Sequence, residues 1–119
     1  MDEIKIAIQR LGSRSLFVKV SGDVNLVTAY SLDEPMRQLV RRGHHHLVVD
    51  FENVKFMDSS GVGVLIGLHR LLKELNGEMS VVCSDPNIMK LLEITNFSKL
   101  VNVYGQREKA IERERALSF

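Results

Sequence analysis

The chain has 119 residues, 45% of them apolar and 26% charged, with a net charge of +1. That length supports one domain around one core. The near-neutral balance gives no global electrostatic attraction to nucleic acid or an anionic membrane. No apolar stretch approaches the ~18 residues that cross a bilayer. The acidic start Met1-Asp2-Glu3-Ile4-Lys5 lacks the basic region and long apolar run of a signal peptide, so a cytoplasmic protein is expected. Cys83 is the one cysteine. It lies in an apolar run, excludes an internal disulfide and is expected to pack as a small hydrophobe.

Ile4, Ile6 and Ile8 alternate with Lys5, Ala7 and Gln9, which predicts a half-buried strand. Gly12-Ser13 supplies a turn, and Leu16 to Val20 a second strand paired with the first as a hairpin. Ala29, Leu32, Met36, Leu39 and Val40 recur at helical spacing, with Thr28 as candidate N-cap and Gly43 as terminator. Pro35 falls inside that pattern and predicts a kink or a late helix start. His46 to Phe51 reads as a central buried strand. Ser59 to Leu75 carries the strongest helical pattern and ends at Asn76-Gly77, a pair suited to left-handed backbone. Glu78 to Cys83 is another strand. Asp85-Pro86 opens a short helix with Asp as cap and Pro at the first position, and Ile88, Leu91, Leu92 and Ile94 are its apolar residues. Leu100 to Tyr104 reads as a last strand. Gln106 to Leu117 reads as a charged helix anchored by Ile111 and Leu117. The order β-β-α-β-α-β-α-β-α predicts an α/β fold: a mixed, mostly parallel sheet of 4-5 strands with about four helices and right-handed crossovers.

The octapeptide Phe56-Met57-Asp58-Ser59-Ser60-Gly61-Val62-Gly63 stands where a strand hands over to a helix. Unpaired N–H groups and the dipole at such a start favour negative charge. A hydroxyl there can be a cap, a nucleophile or a phosphate acceptor. Side chains are about 100° apart around a helix, which puts Gly61, Val64, Leu65, Leu68, Leu71, Leu72 and Leu75 on one apolar face toward the sheet. Val62, Ile66, His69 and Lys73 form a second stripe. Gly63, Gly67, Arg70 and Glu74 lie outermost. Ser59 heads the second stripe and is the more accessible serine, whereas Ser60 falls nearer the core. Val62 and Ile66 are expected to expose apolar surface, which is either covered by a loop or helix or docks a partner. Gly63 and Gly67 each lower helix propensity by about 1 kcal/mol relative to Ala, and permit close approach by another chain or close packing within this one.

A serine hydrolase needs a base beside its nucleophile. His69 would lie about 15 Å along the helix from Ser59. His44, His45 and His46 precede a strand and belong at the opposite end of the sheet. The G-x-S-x-G elbow is missing, so no catalytic residue is expected. The histidine run has no accompanying Cys or carboxylate cluster, which argues against a metal site. The glycines at 61, 63 and 67 match neither a phosphate-cradling loop nor a dinucleotide fingerprint, and no cofactor is expected. Asp58 is suited to cap the helix through the N–H of Ser60 or Gly61, worth about 1 kcal/mol. That role is compatible with an outward-facing Ser59.

The order of elements and the run Val49-Asp50-Phe51-Glu52-Asn53-Val54-Lys55-Phe56-Met57-Asp58-Ser59-Ser60-Gly61-Val62-Gly63-Val64-Leu65 resemble the STAS domain, and more narrowly the bacterial anti-sigma factor antagonists. Ser21-Gly22-Asp23 with Thr28-Ala29, Gly77-Glu78-Met79 and the Phe97 to Val103 ending add to the likeness. The resemblance is strongest over residues 10–104 and implies one STAS domain across 1–119, with 105–119 as a C-terminal helix. It implies a switch without catalysis of its own. In that family the unphosphorylated protein binds an anti-sigma factor that is also a serine kinase, and so frees a sigma factor. The kinase phosphorylates the serine directly after the Asp, here Ser59, and a PP2C-type phosphatase reverses this. Asp23, Asn25, Asp58, Ser59, Ser60, Gly61, Val62, Gly63 and Ile66 are the implied partner-binding positions. Asn25 stands where the family often has a second acid. Neither direct nucleic-acid binding nor membrane insertion is implied, and a monomer or weak dimer is expected. The alternative is a STAS subunit that docks on a membrane transporter or other regulatory assembly without phosphorylation. The Asp58-Ser59 pair favours the first reading.

Overall fold

The computed structural model describes residues 3–117. Met1 and Asp2 of the acidic start lie outside them. Five strands form one sheet in the order β1-β2-β3-β4-β5. β1 (Lys5–Leu11) and β2 (Ser15–Ser21) are an antiparallel hairpin, and β3 (His46–Asn53), β4 (Glu78–Val82) and β5 (Asn102–Tyr104) add in parallel. The expected mixed sheet and element order are therefore present.

A sheet that grows in one direction through same-handed crossovers keeps its connecting helices on one face. α1 (Ala29–Arg41), α2 (Ser59–Glu74) and α3 (Pro86–Ile94) do so. Their apolar stripes meet Leu16, Val18, Val20, Leu47, Val49, Phe51, Met79 and Val81 in the main core. α4 (Arg107–Ala116) follows the last strand, needs no crossover, and covers the other face over Leu11, Phe17, Val48 and Val82. Cys83 packs in the main core as expected, and burial pushes its thiol pKa up to about 11.

Most helix ends fall where the cap chemistry puts them. Gly43 closes α1 with φ +98°; its N–H donates to the Val40 carbonyl while His44 N–H reaches that of Leu39, a Schellman closure. The same closure ends α2, with Asn76 rather than glycine in the left-handed position, at φ 59°. Gly77 serves a different need, because a Cβ there would meet the His45 carbonyl oxygen at 2.2 Å. Asp85 accepts from the N–H groups of Asn87 and Ile88, and Pro86 takes the first position of α3.

Several expectations need correction. α1 starts at Ala29, well before Pro35, so no late start occurs. Thr28 holds the N-cap position without a side-chain bond to the helix. Ile8 and Ile94 are exposed rather than packed: Ile8 sits on the free edge strand, and Ile94 is the last residue of α3. A short 3-10 turn, Phe97–Lys99, precedes β5 and shortens that strand to three residues. In α4 the deeply buried residues are Ala110 and Glu114, while Ile111 and Leu117 are only half-buried. Ser15 donates to the Glu114 carboxylate, and Arg14 pairs with it. A hydrogen-bonded, charge-paired carboxylate is one of the few acids a protein buries.

Candidate functional site

The octapeptide is held by the loop that follows β2. Val24 and Met57 form a parallel bridge: Val24 N–H donates to the Phe56 carbonyl at 2.9 Å, and Asp58 N–H donates to the Val24 carbonyl at 3.0 Å. The loop is itself cross-braced. Asn25 Oδ1 accepts from the N–H groups of Val27 and Thr28 at 2.9 and 3.0 Å. Thr28 Oγ1 accepts from Asn25 N–H and donates to the Asp23 carbonyl at 2.6 Å. Asn25, the departure from the family pattern, is thus a turn-forming side chain, a task that Asp performs through the same oxygen.

Asp58 caps α2 by accepting the Ser60 N–H at 2.8 Å. Ser59, the first helical residue, is exposed, and its hydroxyl makes no hydrogen bond among the described residues. Ser60 is half-buried. The helix phase therefore ranked the two serines in the right order. Asp23 is half-buried and lines a shallow groove with Lys5, Asn53 and Lys55.

Of the two alternatives for the second stripe of α2, the structure shows the covered one. Val62 is 2% exposed, and Ile66 is half-buried against the core. Gly61 is also buried; a Cβ there would press on Met57 and Val24 at 2.8 Å. α1 flanks α2 on its Gly67 side, while His69 and Lys73 of the second stripe border Ser98 and Lys99 on the other, so the buried arc of α2 is wider than one apolar face. The two outer glycines divide between the two roles foreseen for them. Gly67 faces Arg37 of α1, which a Cβ would approach to 3.0 Å, whereas Gly63 has nothing within 4 Å. Of the implied contact positions, Gly61 and Val62 are therefore enclosed. Ser59 and Gly63 are open, and Asp23, Asn25, Asp58, Ser60 and Ile66 form a half-buried border.

The most exposed apolar side chains near Ser59 lie on the braced loop and the first turn of α1. Leu26, Val27 and Tyr30 are 81%, 83% and 71% exposed, and Phe56 beside them is 49% exposed. The Val24–Met57 bridge holds this group at the Ser59 end of the molecule. Tyr30 is out of phase with Leu32, Met36 and Leu39, and Leu26-Val27 belongs to no periodic pattern. That mismatch is the signal in the sequence that could have found them.

Among the described residues neither His46 nor His69 stands at this end. His46 begins β3 and His69 lies far along α2, and both line a cleft at the other end of the molecule. Among the described residues no group of three or more His, Cys, Asp or Glu is arranged to hold a metal.

The sequence pattern of the STAS domain matches residues 5–110. The chain belongs to the STAS family. The anti-sigma F factor antagonist of Paenibacillus polymyxa is 32% identical to this STAS chain over 97 residues, covering 81% of this chain and 83% of that protein. The crystal structure of an anti-sigma factor antagonist from Mycobacterium paratuberculosis superposes with a TM-score of 0.84 at 25% identity, over 95% of each chain. The Bacillus cell fate determinant SpoIIAA in its phosphorylated form shares the fold, with a TM-score of 0.71 at 20% identity over 92% of this chain and 98% of that one. No described helix is long and apolar enough to cross a membrane.

Proposed function

We propose that this STAS protein is an anti-sigma factor antagonist switched by phosphorylation of Ser59. The observation that carries the reading is an exposed serine at the first position of α2, unbonded because Asp58 already caps the helix, beside the exposed Leu26, Val27 and Tyr30. The unphosphorylated surface docks an anti-sigma factor with serine kinase activity and so releases a sigma factor in the cytoplasm. The apolar group supplies anchors of the kind that dominate binding energy, and Gly63 lets the partner approach the helix backbone.

A phosphate adds about −1.5 to −2 charges at pH 7. The helix start accommodates that charge within the free protein. Next to Asp58 and Asp23 it raises negative potential and bulk on the docking face. A penalty of 1.4 kcal/mol lowers affinity about tenfold, so a modest repulsion releases the partner. A PP2C-type phosphatase resets the switch. In this reading the protein acts by binding its partner and performs no catalysis of its own.

Incubation with the partner kinase and ATP should add one phosphate, read by intact mass, and Ser59→Ala should add none. Affinity capture with mass spectrometry should return a histidine-kinase-like ATPase. Phosphorylation of the Ala variant would reject Ser59, and recovery of a transporter component instead would reject the sigma-factor reading.

A further inference from the structure

The end of the molecule away from Ser59 carries a second feature that the switch does not use. The starts of β3, β4 and β5, the last turns of α2 and the Phe97–Lys99 turn enclose an open cleft of about 530 Å³. Small-molecule sites commonly run from about 300 to 1,000 Å³. Arg14, His46, His69, Lys73 and Lys99 line it against one carboxylate, Glu78. Glu78 is already engaged, accepting from Arg113 at 3.2 Å and facing Arg14 at 3.6 Å. Lys73 and Lys99 are exposed and make no ion pair among the described residues.

Two buried side-chain nitrogens lack a hydrogen-bond partner among the described residues, Arg14 Nε and His69 Nδ1. Both residues line this cleft. Buried polar atoms are nearly always satisfied; Arg14 Nε can only donate and His69 Nδ1 donates when protonated, so an acceptor that the chain does not itself supply would satisfy both. We propose that the cleft binds a small anion carrying a phosphate group, independently of Ser59.

The histidines make this binding proton-linked. His46 is held below 6.5 by burial, then by Arg14, with Glu78 and Glu114 opposing and His45 adding a smaller downward push. Burial, then Lys73, lowers His69. A bound anion favours the charged imidazolium and raises both values. Binding therefore takes up protons and tightens as pH falls from the raised bound-state values toward the lowered free-state values. A phosphate monoester titrates near pH 6 and inorganic phosphate also changes charge near neutrality, so sulfate, whose charge is constant there, isolates the histidine contribution.

The test is an NMR titration of the isotopically labelled full chain with inorganic phosphate, glycerol phosphate and sulfate, with sodium chloride at matched ionic strength. Saturable shifts are expected at His69, Lys73, Gly77 to Met79 and Ser98 to Asn102, with none at Asp58 to Gly63. Tighter binding of the ester identifies a phosphorylated metabolite, and equal binding identifies inorganic phosphate. The double variant Lys73→Gln/Lys99→Gln alters exposed residues and should keep its melting temperature while binding roughly tenfold more weakly. Sulfate should bind more tightly at about pH 6 than at about pH 8. Shifts that chloride reproduces, or a double variant that binds like wild type, overturn the proposal. Equal sulfate affinity at both pH values removes the histidines from it.

Discussion

The two ends of α2 solve opposite problems. At its start the helix meets a braced loop and presents apolar side chains, a free hydroxyl and two acids, Asp58 and Asp23. At its close it meets strand starts and presents His69 and Lys73 to a basic cleft. One helix thus separates an end suited to a protein partner, whose affinity negative charge would lower, from an end whose charge attracts anions. A helix dipole disfavours anions at its carboxyl end. The cleft must therefore draw its attraction from side chains, and substitutions there should act through charge rather than through backbone.

Substitutions that affect one end and spare the other test this separation. The largest expected effect is Gly77→Ala: a Cβ set 2.2 Å from the His45 carbonyl oxygen must displace backbone and should cost about 3 kcal/mol of stability by urea unfolding. At the other end, Leu26→Ser/Val27→Ser/Tyr30→Ser should leave the melting temperature unchanged and weaken partner binding about a hundredfold by calorimetry. A large stability loss in that triple variant would show the three residues to be structural. Ser59→Asp should weaken the partner about tenfold while leaving anion binding at the cleft unaltered. Asp58→Ala should cost about 1 kcal/mol of stability through the lost cap. The smallest effect is the most diagnostic. Gly63→Ala has open space for its Cβ and should stabilise α2 by up to about 1 kcal/mol, yet weaken the partner. A gain in both properties would remove Gly63 from the docking face.

Much of this architecture was legible because local chemistry and tertiary packing agree. Asp58, Asp85 and Gly43 end helices by bonds made within a few residues, and the continuous apolar run of β3 reports a strand buried on both faces. The failures share a cause: they depend on partners distant in sequence. Val62 is buried because the main core wraps around both flanks of α2, which a single helical wheel cannot show. Glu114 is buried because Ser15 and Arg14, about a hundred residues earlier, receive it. At the Ser59 site, helix phase ranked the two serines, whereas the exposed Leu26, Val27 and Tyr30 follow no periodicity and emerge only once the Val24–Met57 bridge ties their loop to the helix start.

Cys83 gives the molecule a built-in clock. Its thiol is enclosed in the main core and pushed up to about 11 by burial, so an alkylating reagent at neutral pH finds almost no thiolate in the folded protein. Alkylation then follows the population of molecules in which the region around β4 is open. With one cysteine in the chain, a single mass increment followed over time measures that opening without any engineered probe. The same measurement with partner or anion present would report how far each ligand, bound at its own end of α2, quiets the strand between them.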